Sequence, residues 1–310
     1  MPGIGIINNP RSKKNLLYPD RIRKLGYLLG ERGESKATKS LEELEDCLGE
    51  FKKQKIDILA INGGDGSNHV TLTKLVKLWG RDPLPKIALL RGGTLNTIAR
   101  SFGINGRPEY ILHNIAGKYS EGLPFKTTVA NLLCVNGKYS FLFGNGVVAN
   151  FMKHYYDTGK PSPSHGVKVV AEGVFSAIAG TPLAKKWLKP VVADVTIDGE
   201  KQGLREFTSI LAATIEDIGV GFKPWFRAFD EMDNFHILLF HGSAVQIIKE
   251  MPYFYFGRPP SPRLTAETLA KHVHLEAEEP FSYTLDGDMY ECEDGIMDLS
   301  IGPRVEIILD

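Results

Sequence analysis

The chain has 310 residues, is 43% hydrophobic and 24% charged, and balances 37 basic against 37 acidic side chains. That length suits two domains with sizeable cores, and the zero net charge argues against a dedicated nucleic-acid binder, which needs a basic excess. Cys47, Cys134 and Cys292 are scattered and form no CxxC, so neither a zinc ribbon nor a thioredoxin-like site is suggested and a reducing compartment is expected. The start, MPGIGIINNPRSKKN, lacks the basic-then-apolar layout of a signal peptide, and no apolar run reaches the roughly 18 residues that cross a bilayer. A soluble, cytoplasmic chain is expected.

The first third alternates in period. Gly3–Asn8 reads as a strand that runs into NNPRS, a turn. Residues 20–30 carry Ile22, Leu25, Leu28 and Leu29 at helical spacing, a weak strand follows at 34–38, and Leu41, Leu44, Leu48 and Phe51 stripe a helix over 41–54. Ile58–Ile61 reads as a buried strand, 68–79 as a helix, Lys86–Leu90 as a strand and Leu95–Phe102 as a helix. Alternation of this kind predicts a doubly wound parallel sheet covered on both faces.

After about residue 122 the pattern changes. CVNGKYSFLF and VTIDGEKQ place Asn136-Gly137 and Asp198-Gly199 between apolar runs, which predicts hairpins. A helix is expected over 166–179, and FHILLF, FSYTLDGDMY and VEIILD read as antiparallel strands. The fold class is therefore α/β: an α/β domain over 1–124, followed by a mainly antiparallel β domain over 125–299. The last strand, within 300–310, can pair back onto the first domain.

Two strand–turn–helix units carry glycine turns, INGGDGS and LLRGGTLN. Ligands of open parallel sheets bind outside the carboxyl ends of the strands. Glycine lets the backbone approach a phosphate, and the following helix offers unpaired N–H groups and partial positive charge. Asp65 is the odd member, because a carboxylate repels phosphates unless Mg2+ or a proton mediates. That combination points to phosphoryl transfer. The structural alternative for one such turn is plain turn chemistry with an aspartate cap. No GxxxxGK[ST] is present, nor HRD or DFG. GNGVVA, residues 144–149, fits GxGxxA only formally, in the β-rich half.

GGDGS followed by GGTLNTIAR resembles the diacylglycerol kinase catalytic-domain family, which includes bacterial lipid kinases, sphingosine kinases and ceramide kinases. That family shows NPxSG, GGDGT, GTxNDxAR and a late DGE in order. Here they stand as Asn9-Pro10-Arg11-Ser12-Lys13, Gly63–Ser67, Gly93–Arg100 and Asp286-Gly287-Asp288. The resemblance implies that the first domain is a nucleotide-binding domain and the second an antiparallel β-sandwich lipid-substrate domain, with ATP bound in the cleft between them and phosphorylation of a lipid hydroxyl, on diacylglycerol or a related long-chain lipid. It places ATP on Asn9, Pro10, Arg11, Ser12 and Lys13, on Gly63, Gly64, Asp65, Gly66, Ser67, Asn68 and His69, and on Gly93, Thr94 and Asn96, with Thr38 as a looser match. It makes Asp288 the general base and Asp65 the organiser of Mg2+ and phosphates. Some bacterial members hold a structural Mg2+, which maps onto Asp230, Asp233 and the carbonyl of Phe235. The resemblance further implies a lipid substrate met at a membrane surface, by peripheral contact at the inner face.

The sequence departs from the family at four places. Asp288 replaces glutamate, Thr97 an aspartate, His69 a glutamate and Lys13 a glycine. Two alternatives therefore stay open: an NAD-kinase-like phosphotransferase, and a catalytically weak nucleotide-binding regulatory protein. Asp198-Gly199-Glu200 copies DGE letter for letter but is read as a hairpin turn. MPYFYFGRPPSPRL, residues 251–264, offers aromatics beside arginines, as a membrane interface would. A core strand with a proline-rich loop ranks ahead of that, and KPWFRAF, 223–229, is read likewise. His272 and His274 alternate on one strand face without a third zinc ligand. Glu276, Glu278 and Glu279 read as a solvated edge.

Overall fold

In a computed structural model the described residues are 3–158, 163–179, 181, 187–217 and 222–310. The chain divides into two compact units: residues up to Ala130 together with Pro303–Asp310, and Asn131–Gly302.

The first unit begins with β1 (Ile4–Asn8), α1 (Lys13–Leu17), α2 (Asp20–Leu29) and β2 (Gly33–Ala37). Next come α3 (Leu41–Gln54), β3 (Ile58–Asn62), α4 (Asp65–Trp79) and β4 (Lys86–Leu89). α5 (Thr97–Ser101) and α6 (Pro108–Glu121) follow. β2, β1, β3 and β4 lie side by side, all parallel. The final strand adds itself to β4 through Ile307 opposite Ile87, also parallel. β1 and β3 are buried at every residue. Their near-continuous apolar runs are what a sheet covered on both faces requires. α3 packs on α4, and α2 on α6. Leu44, Leu48 and Phe51 of α3 are buried, as the helical stripe predicts. Ser40 caps α3 by accepting from the Glu43 amide, a bond that stabilises a helix start by about 1 kcal/mol. α4 starts at Asp65, three residues before the expected 68. α6 arises where no element was expected.

The second unit opens in β5 (Thr127–Val135), whose first residues belong to the first unit. Then come β6 (Lys138–Ser140), β7 (Leu142–Asn145), α7 (Val147–Asp157) and α8 (Pro163–Ala179). β8 (Val191–Ile197), β9 (Glu200–Lys201), β10 (Glu206–Phe207), β11 (Ser209–Ala213) and β12 (Phe235–Phe240) follow. α9 (Ala244–Tyr255), β13 (Thr265–Ala270), β14 (His272–Ala277), β15 (Phe281–Leu285), β16 (Asp288–Cys292) and β17 (Ile296–Ile308) complete it. One sheet orders β13-β12-β11-β7-β15-β16, antiparallel throughout. β10, β8, β14 and the first part of β17 make the other.

The two sheets share a core. Val273 and Leu275, and Met297 and Leu299, meet Ile210 and Ala212, Ile237 and Leu239, and Tyr283 and Leu285 there. Each pair is two residues apart, which is the strand period that sends alternate side chains to one face. The other face of the β11–β12 sheet is covered as well: Leu211, Ala213, Leu238 and Phe240 pack on Trp225, Ala228 and Phe254.

Two readings are corrected here. The aromatic run at 251–256 is the end of α9, not a core strand. A capping box starts that helix, with Ser243 and Gln246 bonding reciprocally. Of the aromatics at 253–256, Phe254 alone is buried. KPWFRAF is a run of turns, with Trp225 buried beneath it. The hairpins at Asn136-Gly137 and Asp198-Gly199 form as expected, and Asp286-Gly287 makes a third. All six residues have positive φ, as two-residue hairpin turns of the mirror-image type demand.

Candidate functional site

β1 and β3 end level with one another at Asn8 and Asn62, both fully buried. Asn62 Nδ2 donates to Asn8 Oδ1 at 2.8 Å, and Asn8 Nδ2 donates to Ser35 Oγ at 2.9 Å and to the Lys36 carbonyl at 3.0 Å. Asn15 Nδ2 donates to the carbonyls of Asn9 and Asn62, at 2.8 and 3.1 Å. Asn9 reaches forward from the NNPRS turn. Its Nδ2 donates to Ser67 Oγ at 2.8 Å, while its Oδ1 accepts from the Arg11 amide at 2.9 Å. This knot of amides fixes the first turn against the start of α4; it satisfies the buried donors, while Asn15 Oδ1 and Asn62 Oδ1 stay buried without a hydrogen-bond partner.

The two glycine turns touch. A Cβ built on Gly93 would lie 2.3 Å from Gly64 Cα, and one on Gly92 would lie 2.6 Å from Asn62 Oδ1. Only glycine permits that approach. Asp65 then reaches across: its carboxylate accepts from the amides of Thr97 at 2.9 Å and Ile98 at 3.1 Å. It is a cap supplied to α5 by a residue 32 positions earlier. Burial pushes the Asp65 pKa up, against the pull of those two amides and of the Thr97 side chain. Asn96, with φ +51, locks the second turn on itself; its Oδ1 accepts from the Gly93 amide and its Nδ2 donates to the Gly93 carbonyl, both at 3.0 Å.

The two helix starts therefore differ. The N-terminus of α5 already holds a carboxylate, whereas α4 begins at Gly64 with no side-chain cap. The first amides of a helix have no intrahelical partner and carry partial positive charge.

Positive charge gathers beside that open start. The Lys14 amide donates to the Gly92 carbonyl at 3.2 Å, and Lys14 Nζ to the Arg91 carbonyl at 3.2 Å. Burial lowers the Lys14 pKa, and Arg91, Arg21 and Arg100 lower it further. Arg91 has φ +59, donates through Nη1 to the Gly106 carbonyl at 3.1 Å, and keeps Nε buried without a hydrogen-bond partner. Burial and Arg100 depress its pKa too. Arg21 is paired with Glu109 at 2.7 Å. Lys14, Arg91 and Arg100 have no carboxylate at ion-pairing distance among the described residues. Cations whose charge is opposed by burial and by like-charged neighbours, as at Lys14 and Arg91, are stabilised by an anion.

Among the expected ATP contacts, Asn9, Pro10, Gly64, Gly66, Ser67 and Thr94 keep partial exposure around this start, and Arg11 and Lys13 are exposed beside it. Ser12 and Gly63 are buried against Ser67. Gly93 and Asn96 are buried in the closed turn. Asn68 and His69 are buried in α4, and Thr38 is buried behind β1, its amide bonded to the Asn8 carbonyl. Sequence reasoning missed Lys14, Arg91 and Arg100. Lys14 was next to Lys13 in the quoted motif, and Arg91 opened RGGT.

In the second unit the two DG turns are built alike. Asp198 accepts from the amides of Lys271 and His272, at 3.0 and 2.8 Å. Asp286 accepts from those of Phe141 and Leu142, at 3.0 and 2.8 Å. Their settings differ, since Asp198 is exposed while Asp286 is 5% exposed. Tyr156 donates to the Gly287 carbonyl at 3.1 Å. Asp288, at the start of β16, is half-buried, whereas Glu200 is exposed on the two-residue β9. Tyr290 has its pKa pushed up to about 12 by burial, with Asp288, Tyr283 and Asp286 adding to it. The late carboxylate thus sits in a more enclosed, aromatic setting than the early one.

Asp230 is ion-paired with Arg227 at 3.2 Å. Arg227 also meets Glu267 at 3.1 Å, and His236 Nε2 lies 2.9 Å from the same carboxylate. Burial opposes the charge on Arg227, but the two carboxylates prevail and hold its pKa up. Asp233 is exposed and Phe235 begins β12. Among the described residues no group of three or more His, Cys, Asp or Glu side chains is arranged to hold a metal ion.

Residues 4–124 match the family model described as the diacylglycerol kinase catalytic domain, so the resemblance drawn from the motifs is borne out over that segment. The segment ends with α6 and carries both glycine turns. Across the whole chain the fold is similar to that of a diacylglycerol kinase from Bacillus anthracis str. Sterne, at 16% identity and TM-score 0.67, covering 100% of this chain and 97% of that one. A further structure from the same strain aligns at 16% identity and TM-score 0.70, with the same coverage. These likenesses carry the fold. No curated protein matches the sequence. The match places a kinase catalytic-domain model over the first unit, which supports a phosphotransferase class for that segment.

Proposed function

We propose that the chain transfers the γ-phosphoryl group of ATP to a lipid hydroxyl, with diacylglycerol or a related long-chain alcohol as acceptor. The observation that supports it is the uncapped start of α4, set beside three cations with no carboxylate at ion-pairing distance among the described residues, within the segment that matches the kinase domain. The donor set suits a polyphosphate. Backbone amides of Asp65, Gly66 and Ser67 face the anion, Asn9 and Ser67 shape its edge, and Lys14, Arg91 and Arg100 oppose its charge. Gly63 and Thr94 border the same place. Asp65 has a positioning role, since each of its oxygens accepts from an α5 amide. Mg2+ carried by the nucleotide supplies charge neutralisation. Asp230, Asp233 and the Phe235 carbonyl are a weaker candidate for a metal, because Arg227 already neutralises Asp230.

Asp288 takes the acceptor proton. As the hydroxyl oxygen attacks the γ-phosphorus, the bond to the ADP oxygen breaks and the proton passes to the carboxylate. General-base catalysis of this kind contributes about 10²–10⁴-fold. Radiolabelled ATP and extracted lipids, given to the purified chain, test the reading. Label in the organic phase, abolished by Asp288→Ala with ATP affinity unchanged, is the expected result. Label on NAD, or ATP bound without transfer, would replace it with one of the other two readings.

A further inference from the structure

The end of α9 inverts the usual pattern of a surface helix. Its inward face is ordinary: Phe254 packs edge-on against Phe240 in the core, and Glu250 is buried, its Oε2 accepting from the Ser261 amide at 2.7 Å. Its outward face should be polar. Instead Tyr253 is 47% exposed, Tyr255 53% and Phe256, the residue that ends the helix, 68%. Lys249, Tyr253 and Phe256 are four and three residues apart, so they share one stripe. Tyr255 and Phe256 meet edge to face at 5.3 Å between ring centres, which holds both rings in place.

Among the described residues the unpaired charge around this stripe has one sign. Lys249, Arg258 and Arg263 are exposed and have no ion-pair partner among the described residues. Arg258 lies 5.9 Å from the centre of the Phe256 ring. The nearby carboxylates are already engaged: Glu250 by the Ser261 amide and Glu216 by Lys223 at 3.8 Å. Exposed aromatic rings beside unpaired cations, with the neighbouring carboxylates engaged, match the interface of an anionic bilayer, where such rings settle at headgroup depth. A protein partner reading this patch would need a complementary acidic rim, and water alone gives no reason to display three large rings.

We propose that the end of α9 and the following GRPP turn dock the protein on an anionic lipid bilayer, Tyr253, Tyr255 and Phe256 entering the headgroup layer and Lys249, Arg258 and Arg263 facing lipid phosphates. The proposal deepens the reading of a lipid acceptor, yet its test needs no turnover.

The test is flotation of the whole chain with vesicles of phosphatidylcholine alone, and with vesicles containing roughly one-third phosphatidylglycerol. Binding is expected to the second and not the first, falling with salt. Paired Tyr253→Ser and Phe256→Ser changes should weaken it about ten-fold or more. Arg258→Glu should weaken it at least about five-fold and flatten the salt dependence. ATP binding should be unchanged in all of them, which shows that the variants fold. Wild-type protein that fails to float with either vesicle, or serine variants that float as well as wild type, would overturn the proposal. So would sedimentation showing a dimer that the serine changes abolish, because the occupant would then be a second copy. Phosphoryl transfer to lipid dispersed in detergent separates the two ideas: it persists in the serine variants if only docking is impaired, and is absent in wild type if the acceptor is not a lipid.

Discussion

The two glycine turns, GGDGS and GGTLN, look like duplicates in the sequence and are opposites in the structure. Each closes a parallel strand and opens a helix. The first leaves its helix start bare; the second has its helix start filled by the first turn's own aspartate. Similar motifs thus differ in role, one leaving its helix start uncapped and the other anchoring the residue that opens the first helix. The aspartate that seemed to be at odds with phosphate accepts from the amides of Thr97 and Ile98.

The largest test of this asymmetry is Asp65→Ala. It should leave two α5 amides unsatisfied, lower stability by about 2–4 kcal/mol in urea unfolding, and weaken nucleotide binding strongly. Asp65→Asn, which keeps one acceptor, should lose about half as much. Equal loss of nucleotide binding in the two variants, with stability intact, would mean that the carboxylate acts on the ligand directly.

Next come the glycines where the turns meet. Gly93→Ala forces a Cβ to 2.3 Å from Gly64 Cα, whereas Gly64→Ala meets Gly93 Cα at 3.2 Å. Gly93→Ala should therefore cost about 2–4 kcal/mol and Gly64→Ala about 1, read as a difference in melting temperature. The reverse order would break the contact described here.

Lys14 gives a pH signature. Its folded pKa lies below 10.5, so the folded chain releases that proton before the unfolded chain does. Stability should accordingly rise as pH climbs from the depressed value to 10.5. Anion binding should weaken over the same window, because bound phosphate favours the charged lysine and takes up a proton. Titration calorimetry in buffers of different ionisation enthalpy should show this uptake in wild type and not in Lys14→Arg. Lys14→Ala should weaken ATP binding about ten-fold.

The smallest effect separates the two hydroxyls. Ser67→Ala, at the open start, should weaken ATP binding about three- to five-fold. Thr94→Ala, at the closed turn, should change it less. Equilibrium dialysis at one salt concentration is sufficient to rank them.

Much of the first unit was legible in the sequence, because continuous apolar strands and 3.6-period stripes are local signals. Leu44, Leu48 and Phe51 point inward as their spacing requires. What escaped was non-local or masked by composition. Nothing near Asp65 announces that its carboxylate is spent on Thr97 and Ile98. Lys14, Arg91 and Arg100 become a cluster only once β1, β4 and α5 converge. α6 had readable signals, with Pro108 in its first turn, Ile111, Leu112 and Ile115 on one face and Gly122 after its end, yet the change of pattern around 122 drew attention away. α9 misled because MPYFYF is apolar throughout and so shows no period; the exposure of three of its rings is a tertiary fact. The matched turns at 198 and 286 were separable by order in the chain alone, and burial now distinguishes them.

β4 pairs on one side with β3 and on the other with Ile307, near the end of β17. During synthesis the first of these neighbours is available at once. The second must wait until the whole of Asn131–Gly302 has been translated, on the order of tens of seconds at cellular rates. For that interval a flat apolar strand edge stands open on the ribosome, a template for wrong pairings. A chain stopped just short of Pro303 would carry that edge permanently and should precipitate, even though it retains every residue assigned to nucleotide and acceptor.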